Sequence, residues 1–198
     1  MDARHDADAS GRRIIRLRLA LAASVLAFAL LSGCTHRPPS ADFTLTDDRG
    51  DPWSLSAQRG RIVLLDFGFT HCADTCPLAL AKLVRVVKAA ESNPSDATIA
   101  FVTVDPARDG VSAMHRYVQK FDTTGRLVGL TGTPAQIDAV ERDYHVWAQR
   151  VPGAHGRQGY DVAHSAAIYY IDRSGAQRAL RDDDDSEAAL GTTLRELL

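Results

Sequence analysis

Two cysteines, Cys72 and Cys76, lie where an apolar strand gives way to a helix. Residues 61–65 (RIVLL) form the aliphatic run before them, which is typical of a strand buried on both faces. Pro77 favours the first turn of a helix and disfavours helical geometry in the residue before it, so we expect Cys76 at the helix N-terminus and Cys72 in the loop. The positive end of a helix stabilises a thiolate. Both sulfurs are therefore candidate nucleophiles or metal ligands.

Strands and helices alternate along the rest of the chain. A small hairpin is predicted over residues 43–55, and the strand, cysteines and helix follow it. Residues 98–104 and 127–130 have the pattern of two further buried strands, each followed by an amphipathic helix. Residues 166–171 form the last clear strand, before a turn and a final helix. This order predicts an α/β three-layer sandwich, and the cysteine pair after the first central strand narrows it to a thioredoxin-like fold with an added N-terminal β-hairpin.

Several connecting segments carry finer expectations. Residues 133–136 (TPAQ) are typical of a helix start, with an N-cap, a proline in the first turn and a reciprocal capping glutamine. Residues 144–148 would begin another extended piece, and residues 151–159 would form a surface loop. Asp105 and Asp109 are interpreted as turn and helix-cap residues.

Composition and charge exclude some classes of protein. The chain has 198 residues, of which 45% are hydrophobic and 24% charged, as in an ordinary globular protein with one substantial core. The net charge of -2 gives no reason to expect nucleic acid as a partner.

The first 33 residues have the layout of an export signal, with arginines before an apolar segment that ends in small residues. That segment is too short to span a bilayer comfortably, since a membrane helix needs ~20 apolar residues. Residues 31–34 (LSGC) resemble the lipobox of bacterial lipoproteins, so we expect Cys34 to be lipidated and to become the mature N-terminus. The predicted division is a lipoprotein signal peptide over residues 1–33, a tether over 34–41 and a folded domain over 42–198.

This division predicts a protein of the bacterial cell envelope, lipid-anchored to a membrane and facing the periplasm. The alternatives for Cys34 are an ordinary small residue near a cleavage site or a third partner for the other cysteines. A twin-arginine reading of Arg12 and Arg13 fits the surrounding residues poorly. In an oxidising envelope compartment, Cys72 and Cys76 would close into a disulfide unless they were reduced.

Cysteines at this spacing serve as a redox couple, as two metal ligands, or as both in turn. A two-sulfur pair completed by an imidazole suits copper, and Cu(I) especially. His164 is the strongest candidate, because it comes just before the last strand, and in a thioredoxin-like sheet the loop before that strand faces the cysteines. His71 is interpreted as a structural or partner-facing residue, because its side chain is expected to point away from the sulfur of Cys72.

Four segments together resemble one known family. Residues 68–77 (GFTHCADTCP) match the pattern GFTHCxxxCP, residues 104–109 (VDPARD) match VDPxRD, residues 129–134 match GLTGTP, and residues 160–165 (YDVAHS) match the stretch that carries a metal histidine. They occur in order and cover almost all of the predicted domain. The sequence therefore resembles the Sco/SenC family of copper-binding, thioredoxin-like proteins.

The resemblance implies that Cys72, Cys76 and His164 bind one copper ion, as Cu(I) or Cu(II). It also implies a role in assembling the binuclear copper centre of cytochrome c oxidase, by copper delivery, by cysteine reduction, or by both. The implied partners are the copper-bearing oxidase subunit, an envelope thiol reductant and another copper chaperone. One position departs from the family, which commonly has an acidic residue where this chain has Ala163. Loss of that carboxylate would alter the orientation or basicity of the imidazole.

Two other activities compete with a copper chaperone. In a thiol-disulfide reductase, Cys72 and Cys76 would be the catalytic redox pair. His164 discriminates between these two readings, because a reductase needs no imidazole opposite its cysteines. A peroxiredoxin-like peroxidase is set aside, because the threonine expected three residues before its reactive cysteine is Phe69 here.

Overall fold

The computed structural model describes residues 40–90, 96–153 and 159–198. The predicted signal peptide, Cys34 and nearly all of the predicted tether lie outside these residues. Within the described ranges, no helix has both the length and the apolar character needed to cross a membrane.

The secondary structure follows the order that the sequence predicts, with one additional hairpin. In chain order the elements are β1 (Thr44–Asp47), β2 (Pro52–Ser54), β3 (Ile62–Gly68), α1 (Thr75–Ala90), β4 (Ala97–Thr103), α2 (Val111–Val118), β5 (Leu127–Thr131), α3 (Pro134–Asp143), β6 (Ala148–Pro152), β7 (Tyr160–His164), β8 (Ala167–Ile171), β9 (Gln177–Asp182) and α4 (Glu187–Arg195).

The main sheet has the strand order β2-β1-β5-β4-β3-β8-β9. Strands β3, β4 and β5 are parallel to one another, whereas β8 is antiparallel to β3. Strands β6 and β7 form a separate two-stranded sheet. The carboxyl ends of β3 and β4 and the start of β8 therefore meet at the same edge of the main sheet.

Alternation along β3 divides the core into two clusters, one on each face of the sheet. Ile62 and Leu64 pack with buried residues of α1, α2 and α4. Val63 and Leu65 pack with buried residues of α3, of the N-terminal hairpin and of β7. The predicted three-layer α/β arrangement with an N-terminal β-hairpin is confirmed.

The capping box at the start of α3 also matches its prediction. The Thr133 hydroxyl accepts a hydrogen bond from the Gln136 amide, and the Gln136 side chain accepts one from the Thr133 amide. These reciprocal bonds satisfy two amide groups that the helix itself leaves unpaired.

The structure corrects the sequence-based view of the segment before β8. Residues 151–159 were expected to be a surface loop, but Val151 belongs to β6, and residues 148–152 pair in register with residues 160–164. His164 was expected to end a loop, yet it is the last residue of β7. The polar sequence of β6 and its proline hide this strand, because strand signals depend on alternation and β-branched residues.

Candidate metal centre

The two cysteines lie at the start of α1, as expected, with Cys72 in the loop and Cys76 in the first helical turn. Both are free thiols. The backbone amide of Cys76 donates a hydrogen bond to the Sγ atom of Cys72 at 3.3 Å, and the hydroxyl of Thr75 lies 3.3 Å from the same sulfur. Helix α1 thus directs its first polar groups at Cys72.

These contacts separate the acidities of the two thiols. A hydrogen bond from the Cys76 thiol, with others from the Thr75 hydroxyl and from backbone amides, lowers the pKa of Cys72 to about 5, although burial acts in the opposite direction. The pKa of Cys76 is raised, because its thiol donates to Cys72 and is itself buried. The expectation that the helix terminus would activate both sulfurs is therefore wrong for Cys76.

Burial of Cys76 depends on Gly68 at the end of β3. A Cβ atom at Gly68 would lie 2.6 Å from the Phe101 ring and 3.0 Å from the Sγ atom of Cys76. No side chain fits there without displacing one of these groups. Glycine lets the strand end closely beneath the cysteine, which is only 4% exposed.

His164 approaches the cysteines from the other side of the cleft. Its Nε2 atom lies 3.8 Å from the Sγ atom of Cys76, and its Nδ1 atom lies 2.9 Å from the backbone carbonyl oxygen of Ser165. Because a carbonyl only accepts, Nδ1 must carry the proton of a neutral imidazole, which leaves the Nε2 lone pair facing the sulfur. The ring of Phe69 packs edge-on against His164, at 5.9 Å between centroids.

The backbone carbonyl of Ser165 orients the imidazole of His164. Metal-bound histidines commonly donate their second ring N–H to a carboxylate or a backbone carbonyl. Ala163 cannot supply such an acceptor from its side chain, and the carbonyl of Ser165 does so.

The separation between Cys76 and His164 is suitable for two ligands of one metal ion. Metal–sulfur and metal–nitrogen bonds of about 2.3 and 2.0 Å, at tetrahedral to trigonal angles, place the two ligand atoms about 3.5–3.7 Å apart. The observed separation is 3.8 Å. Among the described residues, however, no group of three His, Cys, Asp or Glu side chains is already close enough to hold an ion. The side chains of the candidate site would therefore have to draw closer together to hold one ion.

The three side chains share one face of the molecule. Cys72 and His164 both line an open cleft of about 410 Å³. Three carboxylates also line the cleft. Asp74 lies between the two cysteines in the chain, Asp161 lies on β7, and Asp183 follows β9. The cleft is therefore accessible to a metal ion or to a partner, and its rim is acidic.

Two of the other histidines have contacts outside this cleft. The Nδ1 atom of His71 lies 3.1 Å from the Thr70 hydroxyl, and the imidazole is about half exposed. The Nδ1 atom of His115 lies 2.8 Å from a carboxylate oxygen of Asp48. His5, His36 and His155 lie outside the described residues.

Sequence reasoning missed the importance of two aspartates, Asp105 and Asp109. Asp109 is fully buried and accepts hydrogen bonds from the Thr70 amide at 2.9 Å, the Thr70 hydroxyl at 2.6 Å and the Thr103 hydroxyl at 2.7 Å. It does not cap α2, whose N-cap is Gly110. The interpretation of Asp109 as a helix cap is therefore wrong, and this residue instead fixes the loop that leads to Cys72.

Comparison with known proteins identifies a family. A sequence model described as SCO1/SenC matches residues 35–198. The chain is 46% identical over 136 residues to the mouse protein named SCO2 homolog, mitochondrial, which covers 68% of this chain and 52% of that protein. It is 35% identical over 133 residues to SCO2-like protein RP587 of Rickettsia prowazekii, covering 67% and 64% of the two chains. The chain thus spans about half the length of the mammalian relatives it matches.

Solved structures show the same fold. Arabidopsis thaliana ScoI with copper bound is 30% identical, with a TM-score of 0.73, and the match covers 80% of this chain and 97% of that one. Bradyrhizobium japonicum ScoI with copper bound is 32% identical, with a TM-score of 0.71, and the match covers 81% and 100%. The thioredoxin-like fold predicted from the cysteine pair is therefore confirmed.

Proposed function

The chain belongs to the SCO1/SenC family, and we propose that it binds one copper ion through Cys72, Cys76 and His164 and assists assembly of the binuclear copper centre of cytochrome c oxidase. The separation of 3.8 Å between the Cys76 sulfur and the unprotonated ring nitrogen of His164 carries this proposal. Two of the solved structures that this chain resembles contain bound copper, which agrees with it.

The proposed ligands match the chemistry of the ion. Thiolates and an imidazole are soft to intermediate ligands, and they select copper over oxygen-seeking ions such as magnesium or calcium. Binding of the ion would release the thiol proton of Cys76, whose raised pKa favours the protonated thiol. Cys72 already favours the thiolate, so it is the side chain best prepared to receive an arriving ion.

The same site supports delivery as well as binding. Cys72 is only half-buried and lines the open cleft, whereas Cys76 is almost inaccessible. A partner's thiolate can therefore approach an ion held at Cys72 and replace the ligands of this chain one at a time. The proposed recipient is the copper-bearing subunit of the oxidase, and the proposed donor is another copper chaperone.

Thiol-disulfide reduction is the second candidate function, and the low pKa of Cys72 favours it. A Cys72 thiolate would attack a disulfide of the partner and release one partner thiol. Cys76 would then attack the Cys72 sulfur, which releases the second partner thiol and leaves a Cys72–Cys76 disulfide. Two electrons pass to the partner, so an envelope thiol reductant must restore the pair before the next turnover or before copper binding.

The proposed location rests on sequence alone. A lipid on Cys34 would hold the domain at a membrane of the bacterial cell envelope with its cleft toward the periplasm. Replacing Cys34 with serine in the full-length protein should move it from the membrane to the soluble envelope fraction. Continued membrane association of that variant would argue against the lipid anchor.

The proposed function is tested by following copper between proteins. The reduced domain, loaded with Cu(I) under anaerobic conditions, is mixed with the reduced, copper-free soluble domain of the oxidase subunit. We expect transfer from the wild type and from His115→Gln, a control whose imidazole contacts Asp48 instead of the cleft. Failure of the copper-loaded wild type to transfer, together with rapid reduction of the oxidised subunit by the metal-free domain, would favour the reductase function.

A further inference from the structure

The hairpin that carries His164 is not hydrogen-bonded into the main sheet as a strand. Strands β6 and β7 pair only with each other in the described structure. Ser165 and Ala166 join His164 to β8, which places the end of β7 near the cysteines. The orientation of the hairpin itself depends on how its side chains contact the rest of the domain.

One face of β7 makes these contacts. Tyr160, Val162 and His164 alternate along the strand, so they point to the same side. Val162 is buried in the core cluster that contains residues of β3 and α3. His164 faces Cys76, as described above. The remaining contact, at the far end of the strand, is made by Tyr160.

Tyr160 is held by two residues of the loop after β4. Its hydroxyl donates a hydrogen bond to the Oδ1 atom of Asp105 at 2.8 Å, and its backbone carbonyl accepts one from the Nη1 atom of Arg108 at 2.8 Å. The guanidinium of Arg108 also stacks on the Tyr160 ring, 3.8 Å from its centroid. Arg108 pairs with Asp105 in turn, which links the three residues to one another. Arg150 of β6 adds a more exposed contact, 3.6 Å from a carboxylate oxygen of Asp105 and 4.5 Å from the centroid of the Tyr160 ring.

The charged pair of the cluster is largely buried, which strengthens its hydrogen bonds, whereas Tyr160 is partly exposed. Asp105 is 1% exposed, and the Arg108 side chain is 23% exposed. Charge-assisted hydrogen bonds in a place with little water are stronger than those on the surface, and loss of one partner is costly. Arg108 also lies over the ring of Phe69, at 5.8 Å, and Phe69 packs against His164. The cluster thus reaches both ends of β7.

We propose that Asp105, Arg108 and Tyr160 form a latch that holds the β6–β7 hairpin and thereby positions His164 opposite Cys76. All three are positioning residues, since none of them lines the cleft. The predicted effect of the latch on copper affinity rests on the proposed function, whereas its predicted effect on the stability of the β6–β7 hairpin does not.

The same loop also fixes the cysteine side of the cleft. Asp109 holds Thr70, two residues before Cys72, through its amide and hydroxyl. A single segment, residues 103–109, therefore contacts both halves of the candidate site. This connection lets the loop set the width of the cleft without contributing a ligand.

The test compares Arg108→Lys with a matched control, Arg178→Lys. The lysine at position 108 keeps the charge but loses the planar stack and the forked hydrogen bonds. Arg178 lies on β9 and pairs with Asp172, so its replacement controls for the loss of an arginine–aspartate pair. Tyr160→Phe provides a milder variant, which keeps the ring and removes only the bond to Asp105.

Hydrogen exchange of the metal-free protein tests the latch itself. In Arg108→Lys we expect faster exchange of the amides that pair β6 with β7, with β3 and β4 unchanged. A smaller increase in the exchange of the hairpin amides is expected in Tyr160→Phe, and none is expected in Arg178→Lys. Unchanged exchange in the hairpin of Arg108→Lys, or an equal increase throughout the domain, would overturn the latch.

Copper affinity tests whether the latch acts through His164. Arg108→Lys should weaken Cu(I) binding about 10-fold, the lower range for loss of a residue that supports a metal ligand. In a His164→Ala background the same change should have less than about a twofold effect, because the residue it positions is absent. Equal losses in both backgrounds would show that Arg108 does not act through His164. If His164→Ala alone leaves affinity unchanged, the proposed ligand set is wrong, and the hydrogen-exchange result still decides the latch.

Discussion

The Nε2 atom of His164 lies 3.8 Å from the Sγ atom of Cys76, although 88 residues separate them in the chain. The topology explains this contact. Strand β8 runs antiparallel to β3, so the residues just before β8 meet those just after β3 at one sheet edge. The pairing of β3 with β8 thus brings the thiol of Cys76 and the imidazole of His164 to face each other across a cleft.

Replacing His164 with alanine tests the imidazole as a ligand. We expect Cu(I) affinity to fall by about 10-fold or more, because removal of a ligand should cost at least as much as removal of a residue that supports one. Competition with a chromophoric Cu(I) chelator under anaerobic conditions measures the change. His115→Gln serves as the control and should bind as the wild type does. Equal affinities for wild type and His164→Ala would remove His164 from the site.

The acidity of Cys72 predicts a distinctive reactivity with alkylating agents. Its pKa of about 5 means that the reactive thiolate is half-populated near pH 5 in the reduced, metal-free protein. Alkylation of Cys72 by iodoacetamide should rise with pH to a plateau above about pH 6, whereas Cys76 should react slowly throughout. Peptide mapping by mass spectrometry separates the two sites. A midpoint near pH 8.5, the ordinary value for cysteine, would contradict the proposed hydrogen bonding.

A matched variant tests the cause of this acidity. The Thr75 hydroxyl lies 3.3 Å from the Cys72 sulfur and favours the thiolate. Thr75→Val keeps the shape of the side chain but removes the hydroxyl, so the alkylation midpoint of Cys72 should move to higher pH. An unchanged midpoint would show that the Thr75 hydroxyl has no part in stabilising the thiolate.

Asp66 gives the domain a pH-dependent stability. This carboxyl is 3% exposed, and burial, with repulsion from Asp183, raises its pKa from 3.8 to about 8. Between about pH 4 and pH 8 the folded state therefore holds a proton that the unfolded state has lost, so stability falls as pH rises through this window. Asp66→Asn removes this dependence and should raise the free energy of unfolding at pH 7 by on the order of 2–4 kcal/mol.

Urea unfolding at pH 5 and pH 8 measures this effect. The gain from Asp66→Asn should be larger at pH 8, whereas Asp51→Asn, a change at an exposed carboxyl, should have little effect at either pH. An equal gain from Asp66→Asn at both pH values would mean that the buried carboxyl does not titrate in this range.

Asp109 supports the cysteine loop, and its replacement should destabilise the domain. Asparagine has one acceptor oxygen, whereas the carboxylate accepts from Thr70 twice and from Thr103 once. Asp109→Asn should therefore lower the free energy of unfolding by about 1–3 kcal/mol, the cost of leaving a buried polar group without its partner. Asp51→Asn makes the same change at an exposed carboxyl and serves as the control. Unchanged stability in Asp109→Asn would mean that the loop does not depend on this carboxylate.

Local sequence patterns predicted much of the fold and the main candidate residues. The buried strand, the cysteines and Pro77 predicted the start of α1, and residues 133–136 predicted the capping box of α3. These features depend on contacts within a few residues, which sequence reports directly. The fold itself was confirmed by comparison with solved structures.

Tertiary contacts account for what the sequence could not predict. Cys76 differs from Cys72 because its thiol donates to the Cys72 sulfur and because it is buried, and the local pattern around the cysteines specifies neither contact. Asp105 and Asp109 have the sequence pattern of turn residues. Their hydrogen-bond partners lie as far as 55 residues away in the chain, and a local pattern does not report such contacts. Strand β6 has no strand-like pattern, and its existence depends on pairing with β7.

The central claim is that one copper ion is bound by two sulfurs and one imidazole nitrogen. The most direct measurement is copper stoichiometry with X-ray absorption at the copper edge, made on the reduced domain, wild type beside His164→Ala and Cys72→Ser. The account predicts one copper per wild-type domain with two sulfur ligands and one nitrogen ligand, loss of the nitrogen in His164→Ala, and loss of one sulfur in Cys72→Ser. Absence of bound copper at micromolar metal, or an unchanged ligand set in both variants, would contradict it.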